Sequence, residues 1–182
     1  EPASVSQKGI NRSLTFSPGG QKFCSYGKIQ PAVFFREDEC HEPGERVEVF
    51  PLDAFHACPL ICYDLRFPEL FRIGMQKGAN LFIVIACWPK IRIGHWLSLL
   101  KARAIENQSY VVGVNRTGSD PNMEFGGNSV VIDPKGEILV NAGEIESVLS
   151  MEIDSSLVAQ WREEFPVLKH ARPEFLPPEP SA

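Results

Sequence analysis

The run Leu81-Phe82-Ile83-Val84-Ile85-Ala86 constrains the fold more than any other part of the chain. It is apolar at every position, without alternation, as expected of a strand covered on both faces. Strands of that kind belong to parallel sheets, whose connections need helices on the sheet faces. The flanking sequence supplies both. Ala57 to Ile61 reads as a second buried strand, and residues 67–77 read as a helix with Pro68 in its first turn and Gly78 just past its end. Trp96, Leu99, Leu100, Arg103 and Ala104 recur at helical spacing over residues 94–107, and Tyr110 to Val114 is a further strand.

The remaining segments fit around this α/β centre. Ile10 to Phe16 and Gln21 to Tyr26 flank Pro18-Gly19-Gly20 as two short strands of a hairpin. Residues 28–46 read as a long loop, and Val47 to Phe50 as a strand. After residue 128, strands are expected at 129–132, 138–140 and 147–153, with the turn Asp133-Pro134-Lys135-Gly136 between the first two. Asp154 or Ser155 is expected to cap a last helix ending at Phe165. The chain has 182 residues, enough for one domain, expected at 1–169, followed by an extended Pro-rich tail at 170–182. Three helices are too few to cover such a sheet, so further cover has to come from a partner chain or from additional sequence.

Net charge is -5, with 18 basic and 23 acidic residues interspersed, which gives no basic stripe for nucleic acid or a membrane surface. A small ligand is expected. The five cysteines, at 24, 40, 58, 62 and 87, lack paired spacing for a disulfide framework or a structural metal site. They fit a reducing, cytoplasmic setting, with neither metal nor cofactor.

Among the cysteines, Cys62 stands apart. It ends the apolar strand and opens Cys62-Tyr63-Asp64-Leu65-Arg66-Phe67-Pro68-Glu69, a strand–turn–helix transition of the kind that lifts a nucleophile out of a sheet. Free cysteines are more often core. Here the charged neighbours, and the N–H groups of a helix starting near Pro68, favour a reactive thiolate. Arg66 is spaced to hold a substrate carboxylate, or to pair with Asp64 or Glu69. Trp88 and Phe125 either wall a pocket or belong to the core. Arg103 and Glu106 read as a local helix pair or an intersubunit contact, and His41 and His95 carry no assignment.

The stretch from Cys62 to Glu69 resembles the nucleophile motif of the nitrilase, or carbon–nitrogen hydrolase, superfamily, and in particular its omega-amidase-like branch. Other segments agree in order and spacing. Asn11-Arg12-Ser13-Leu14 with Pro18 and Gly20 resembles the strand before that family's lysine, and Tyr26-Gly27-Lys28-Ile29 the lysine segment. Trp88-Pro89, His95-Trp96 and Ala102-Arg103-Ala104-Ile105-Glu106-Asn107-Gln108 resemble the segment after the nucleophile. Val114-Asn115-Arg116, Gly127-Asn128-Ser129 and Asp133-Pro134 with Gly136 complete the likeness.

The resemblance implies a four-layer αββα sandwich, a homodimer or higher homo-oligomer, and a Glu-Lys-Cys site that hydrolyses amides through a thioester. It implies Cys62 as nucleophile and Lys28 as the lysine; read alone, Lys28 is a solvated strand-end charge. Glu37 matches a second glutamate beside the site, or else belongs to a solvated acidic run with Asp38 and Glu39. Lys28 and the backbone N–H of Tyr63 are expected to face the oxyanion. The substrate implied is a small amide, an omega-amide of a dicarboxylate if Arg66 grips a carboxylate. The family's general-base glutamate precedes the strand matched by Asn11-Arg12, so the resemblance predicts a domain without its N-terminal part. Two further readings follow: a non-catalytic remnant that binds a ligand or partner subunit, and an acyl transferase that passes the thioester to an amine.

Overall fold

The computed structural model describes residues 8–178. Ten strands and four helices follow one another along them: β1 Arg12–Phe16, β2 Lys22–Gly27, α1 Glu37–Cys40, β3 Phe50–Leu52, β4 Phe55–Ile61, α2 Pro68–Gln76, β5 Leu81–Ala86, α3 Ile93–Asn107, β6 Tyr110–Asn115, β7 Thr117–Ser119, β8 Glu124–Gly126, β9 Val130–Ile132, β10 Ile138–Asn141 and α4 Ser156–Glu164. Six strands form the central sheet in the order β10-β9-β6-β5-β4-β3. Its middle is parallel, β4 pairing β5 and β5 pairing β6, while β3, β9 and β10 run antiparallel at the edges. The apolar run Leu81–Ala86 is β5, at the centre of that parallel triplet.

Helices α2 and α3 cover one face. Gly74 of α2 approaches Cys58 and Phe82 so closely that an added Cβ would lie 2.9 Å from each side chain. Gly113 of β6 faces α3 in the same way, 2.5 Å from Leu100 and 2.8 Å from Trp96. The helices therefore sit deep against the sheet, with Leu60, Phe71, Phe82, Val84, Trp96 and Leu100 buried. Each such side chain contributes about 1.5–3 kcal/mol through burial. The hairpin β1–β2 contributes Cys24 and Tyr26 to the same core. The sheet face turned away from the helices is partly open, leaving Ile85 38% and Val114 48% exposed, so β5 is not covered along its whole length as its sequence predicts.

Several expectations need correction. Residues 28–46 are not a plain loop: a 3-10 turn at Val33–Phe35 and the helical turn α1 lie within them. Residues 147–153 form no strand; the hairpin β7–β8, unannounced by any alternating pattern, lies elsewhere, between β6 and β9. The region after Pro166 is not simply extended, since 3-10 turns form at Val167–His170 and Pro173–Phe175. Pro180 and the end of the tail lie outside the described residues. Asp154 caps α4, its Oδ1 accepting from Ser156 N at 2.8 Å. Among the described residues no helix is long and apolar enough to cross a membrane.

Gly113 tests how tightly α3 is seated. Gly113→Val is expected to cost about 1–3 kcal/mol through overpacking, read as a lower urea midpoint at unchanged slope. An unchanged midpoint would show that α3 can move off the sheet freely.

Candidate active site

Cys62 follows directly on β4, in a 3-10 turn spanning Cys62–Arg66. Its φ of 48° lies in the left-handed region, which costs a non-glycine residue about 1–3 kcal/mol. Such strain persists only where the surroundings hold the residue from several sides. Three contacts do so here. Asp64, fully buried, accepts hydrogen bonds from Ile61 N at 2.9 Å, Tyr26 Oη at 2.7 Å and Gln30 N at 2.9 Å. Arg103 of α3 donates from Nε and Nη2 to the carbonyl of Leu65, at 3.2 and 2.8 Å. Phe67 N then closes the turn onto the Asp64 carbonyl at 3.0 Å.

The Asp64 bonds also set Lys28, because Tyr26 and Gln30 stand two residues to either side of it. Lys28 is 4% exposed and pairs with Glu37 at 2.5 Å. It is neither a solvated strand end nor is Glu37 part of a solvated run. Glu37 also accepts from Asn11 Nδ2 at 3.0 Å and from Ala32 N at 2.7 Å. Gly44 closes this corner, with its N–H donating to the Lys28 carbonyl at 2.7 Å. A Cβ on Gly44 would fall 2.2 Å from the carbonyl oxygen of Gly27, so no larger residue fits that close approach.

The electrostatics of the two functional groups run in opposite directions. Burial pushes the Cys62 thiol up; the Lys28 charge and a hydrogen bond from the Cys87 backbone oppose this without overcoming it. The resting thiol is thus protonated at neutral pH. The helix begins at Pro68 as expected, but the thiolate it was expected to favour is not the resting form, because burial outweighs the charges around the thiol. Burial also pushes Glu37 up, but hydrogen bonds from Lys28, Ala32 and Asn11 outweigh it and leave the carboxyl below its ordinary value.

Cys62 opens into a cleft of about 330 Å³ lined by Ala32, Phe34, Phe35, Tyr63, Arg66, Trp88, Pro89, Arg92 and His95. Tyr63, Arg66 and Trp88 were expected here. Phe125 was not found among the lining residues: it is buried behind Pro89, with which it forms a bridge, and stacks on Arg116 at 4.2 Å. Arg66 lies over the Trp88 ring at 4.6 Å and forms no salt bridge among the described residues, with neither Asp64 nor Glu69. Arg103 does pair with Glu106, at 3.0 Å, within one helix.

Trp88 is fixed from behind. Its N–H donates to Asn115 Oδ1 at 2.6 Å, its carbonyl accepts from Asn115 Nδ2 at 3.3 Å, and its indole Nε1 donates to the Arg92 carbonyl at 2.8 Å. Arg92 carries no signal in the sequence, and Asn11, Asp64 and Asn115 stand there only as members of longer motifs, without the parts they play here. Their partners are backbone groups or side chains far along the chain, which spacing cannot reveal.

The pH behaviour of both groups can be measured. Iodoacetamide alkylation of Cys62 is expected to rise with a midpoint above the ordinary thiol value of about 8.5, and Lys28→Met is expected to move it higher. A midpoint below that value would contradict the buried, protonated thiol. The depressed Glu37 carboxyl contributes stability that is present above its unfolded value, about 4.3, and is lost as pH falls through the folded value. Glu37→Gln should therefore flatten the acid limb of stability below about pH 4.3, and an acid limb as steep as the parent's would remove Glu37 from it.

Residues 3–163 match the family model described as carbon-nitrogen hydrolase. The chain is 47% identical over 156 residues to the 2-oxoglutaramate amidase of Bacillus subtilis, covering 86% of this chain and 60% of that protein. To the "hydrolase in agr operon" of Staphylococcus aureus it is 42% identical over 162 residues, covering 88% and 62%. The crystal structure of XC1258 from Xanthomonas campestris, a CN-hydrolase superfamily protein, superposes with a TM-score of 0.85 at 32% identity, over 90% of this chain and 64% of that one. The chain thus spans about three fifths of the length of the curated relatives it matches. With the Cys62 turn, the paired lysine and the α/β sheet all in the matched region, this chain belongs to the carbon–nitrogen hydrolase family.

Proposed function

We propose that the protein hydrolyses a small omega-amide of a dicarboxylate through a thioester on Cys62, releasing ammonia. The observation that carries this reading is the convergence of Cys62 and an acid-free Arg66 on one small cleft, with the buried Lys28–Glu37 pair close enough to act electrostatically on the thiol. The names of the relatives, 2-oxoglutaramate amidase in Bacillus subtilis and omega-amidase in Escherichia coli, support the substrate class.

Each residue then has a distinct part. Cys62 Sγ attacks the amide carbon while a carboxylate takes its proton and returns it to the departing ammonia. Glu37 is already engaged by Lys28, Asn11 and Ala32, so it serves to orient the lysine, and the proton transfer falls to a separate carboxylate. Lys28 and the Tyr63 N–H stabilise the oxyanion. Arg66 holds the far carboxylate in a two-pronged grip while its other face rests on Trp88. The strained Cys62 backbone keeps the sulfur aimed at the cleft rather than at the core. Water cleaves the thioester, and no cofactor enters.

The same reading carries the four-layer sandwich, a homo-oligomer and a cytoplasmic setting. The open sheet face at Ile85 and Val114 supports the first two, and five unpaired thiols support the third.

Ammonia release from glutaramate or succinamate is expected to vanish in Cys62→Ala, to fall about 10²–10³-fold in Lys28→Met, and to show a raised KM in Arg66→Ala. Turnover surviving in Cys62→Ala would sink the proposal.

A further inference from the structure

Two cysteines stand side by side where neighbouring strands of the central sheet end. β4 pairs β5 in parallel with Ile61 opposite Ile85, so Cys62 and Cys87 follow on with a stagger of one residue. Adjacent strands lie about 4.8 Å apart and rise about 3.3 Å per residue, which sets such a pair of Cα atoms about 6 Å apart. Disulfides usually take a Cα separation of about 4.4–6.8 Å. The Cys62–Arg66 turn packs against β5, and the Cys62 thiol accepts a hydrogen bond from the Cys87 backbone. The turn therefore keeps Cys62 beside its neighbour.

Both backbones are held. Asp64 and Arg103 fix the Cys62 turn. Cys87 lies between two anchored residues: the Ala86 carbonyl accepts from Arg116 N at 2.9 Å, and Trp88 N donates to Asn115 Oδ1 at 2.6 Å. Groups positioned in this way react with each other as if at very high concentration. Their surroundings differ, because Cys87 is exposed and Cys62 only partly so. Of the other cysteines, Cys24 and Cys58 are buried in the core and Cys40 ends α1. All five are free thiols in this structure. Amide hydrolysis gives the Cys87 side chain no part.

We propose that Cys62 and Cys87 are a modification site for hydroperoxides, forming a reversible disulfide that takes the Cys62 sulfur out of service until it is reduced. Cys87 reacts first, because its thiol is the accessible one. Its sulfur attacks the peroxide and the O–O bond breaks. One oxygen stays on Cys87 as a sulfenic acid, and the other leaves as water with the Cys87 proton. Cys62 Sγ then attacks the Cys87 sulfur, the S–O bond breaks, and hydroxide departs with the Cys62 proton as a second water. Two electrons pass from the thiols to the peroxide. A thiol reductant reverses the step by exchange. Capped in this way, Cys62 is kept from the irreversible sulfinic and sulfonic stages. The pairing stands on the geometry of the two strand ends; only its effect on turnover rests on the amidase reading.

The test treats the reduced full chain with excess hydrogen peroxide, alkylates it with iodoacetamide and maps the unreduced peptides by mass. Peptides joined through Cys62 and Cys87 are expected, and dithiothreitol should return both residues to alkylation. Glutaramate turnover should be lost as the link forms and recovered as it is reduced. Cys87→Ala should keep the turnover of the untreated chain, but whatever turnover peroxide removes should then stay lost in dithiothreitol, with Cys62 as sulfinic or sulfonic acid. Equimolar phenylarsine oxide, which bridges two close thiols, should block alkylation of both cysteines in the parent and leave Cys62 open in Cys87→Ala. Cys62 oxidised singly in the parent while Cys87 is alkylated, or Cys87 linked only between two chains, overturns the pairing. Glutaramate turnover without the link sinks the pairing and leaves the amidase reading standing. The link without turnover by the reduced chain supports the pairing and sinks the amidase reading.

Discussion

One buried carboxylate holds the site together. Asp64 joins the end of β4, the end of β2 and the segment after Lys28. An ionised carboxylate with no exposure is costly to bury, and three donors offset that cost. Burial still pushes its pKa up, and it pushes that of its partner Tyr26 up as well. The consequence is geometric: Cys62 follows a strand of the central sheet and Lys28 follows the hairpin, and one side chain between them ties the two segments together.

Against that clamp, the strain at Cys62 becomes intelligible. A left-handed cysteine would relax if its turn were free, but Asp64 restrains it from the hairpin side and Arg103 from the helix side. Arg103 also stacks on Phe71 at 5.2 Å, so the helix that covers the sheet and the turn that carries the thiol are tied into the same core. Packing of α3 through Gly113 and positioning of Cys62 are thus parts of one arrangement.

The sequence makes some of this legible and hides the rest for physical reasons. The strand at 81–86 and the helices on either side are visible because burial writes itself into unbroken apolar runs and helical spacing. The Cys62 turn is visible as the point where such a run meets charge. Glu37 looks like one acid among three, since its partners Lys28 and Asn11 lie in other segments and only folding selects it from Asp38 and Glu39. Phe125 and Trp88 look alike as aromatic residues near the end of a strand, and register alone puts one in the cleft wall and the other behind Pro89. The apolar content of residues 147–153 suggests a strand, but this segment pairs with none of the described strands.

Asn115 has a consequence for how this cleft can change. Its one amide satisfies Trp88 N, Trp88 O and the carbonyl of Gly127, so the aromatic wall moves only if the end of β6 moves with it. The opposite wall is built differently: Phe34 and Phe35 sit on a short 3-10 turn, with Phe34 73% exposed. New specificities are accordingly easier to reach by exchanging residues at 33–35, where neighbours are few, than by altering the tryptophan. The cleft has one conservative side and one permissive side, and divergence among relatives of this protein should be concentrated on the second.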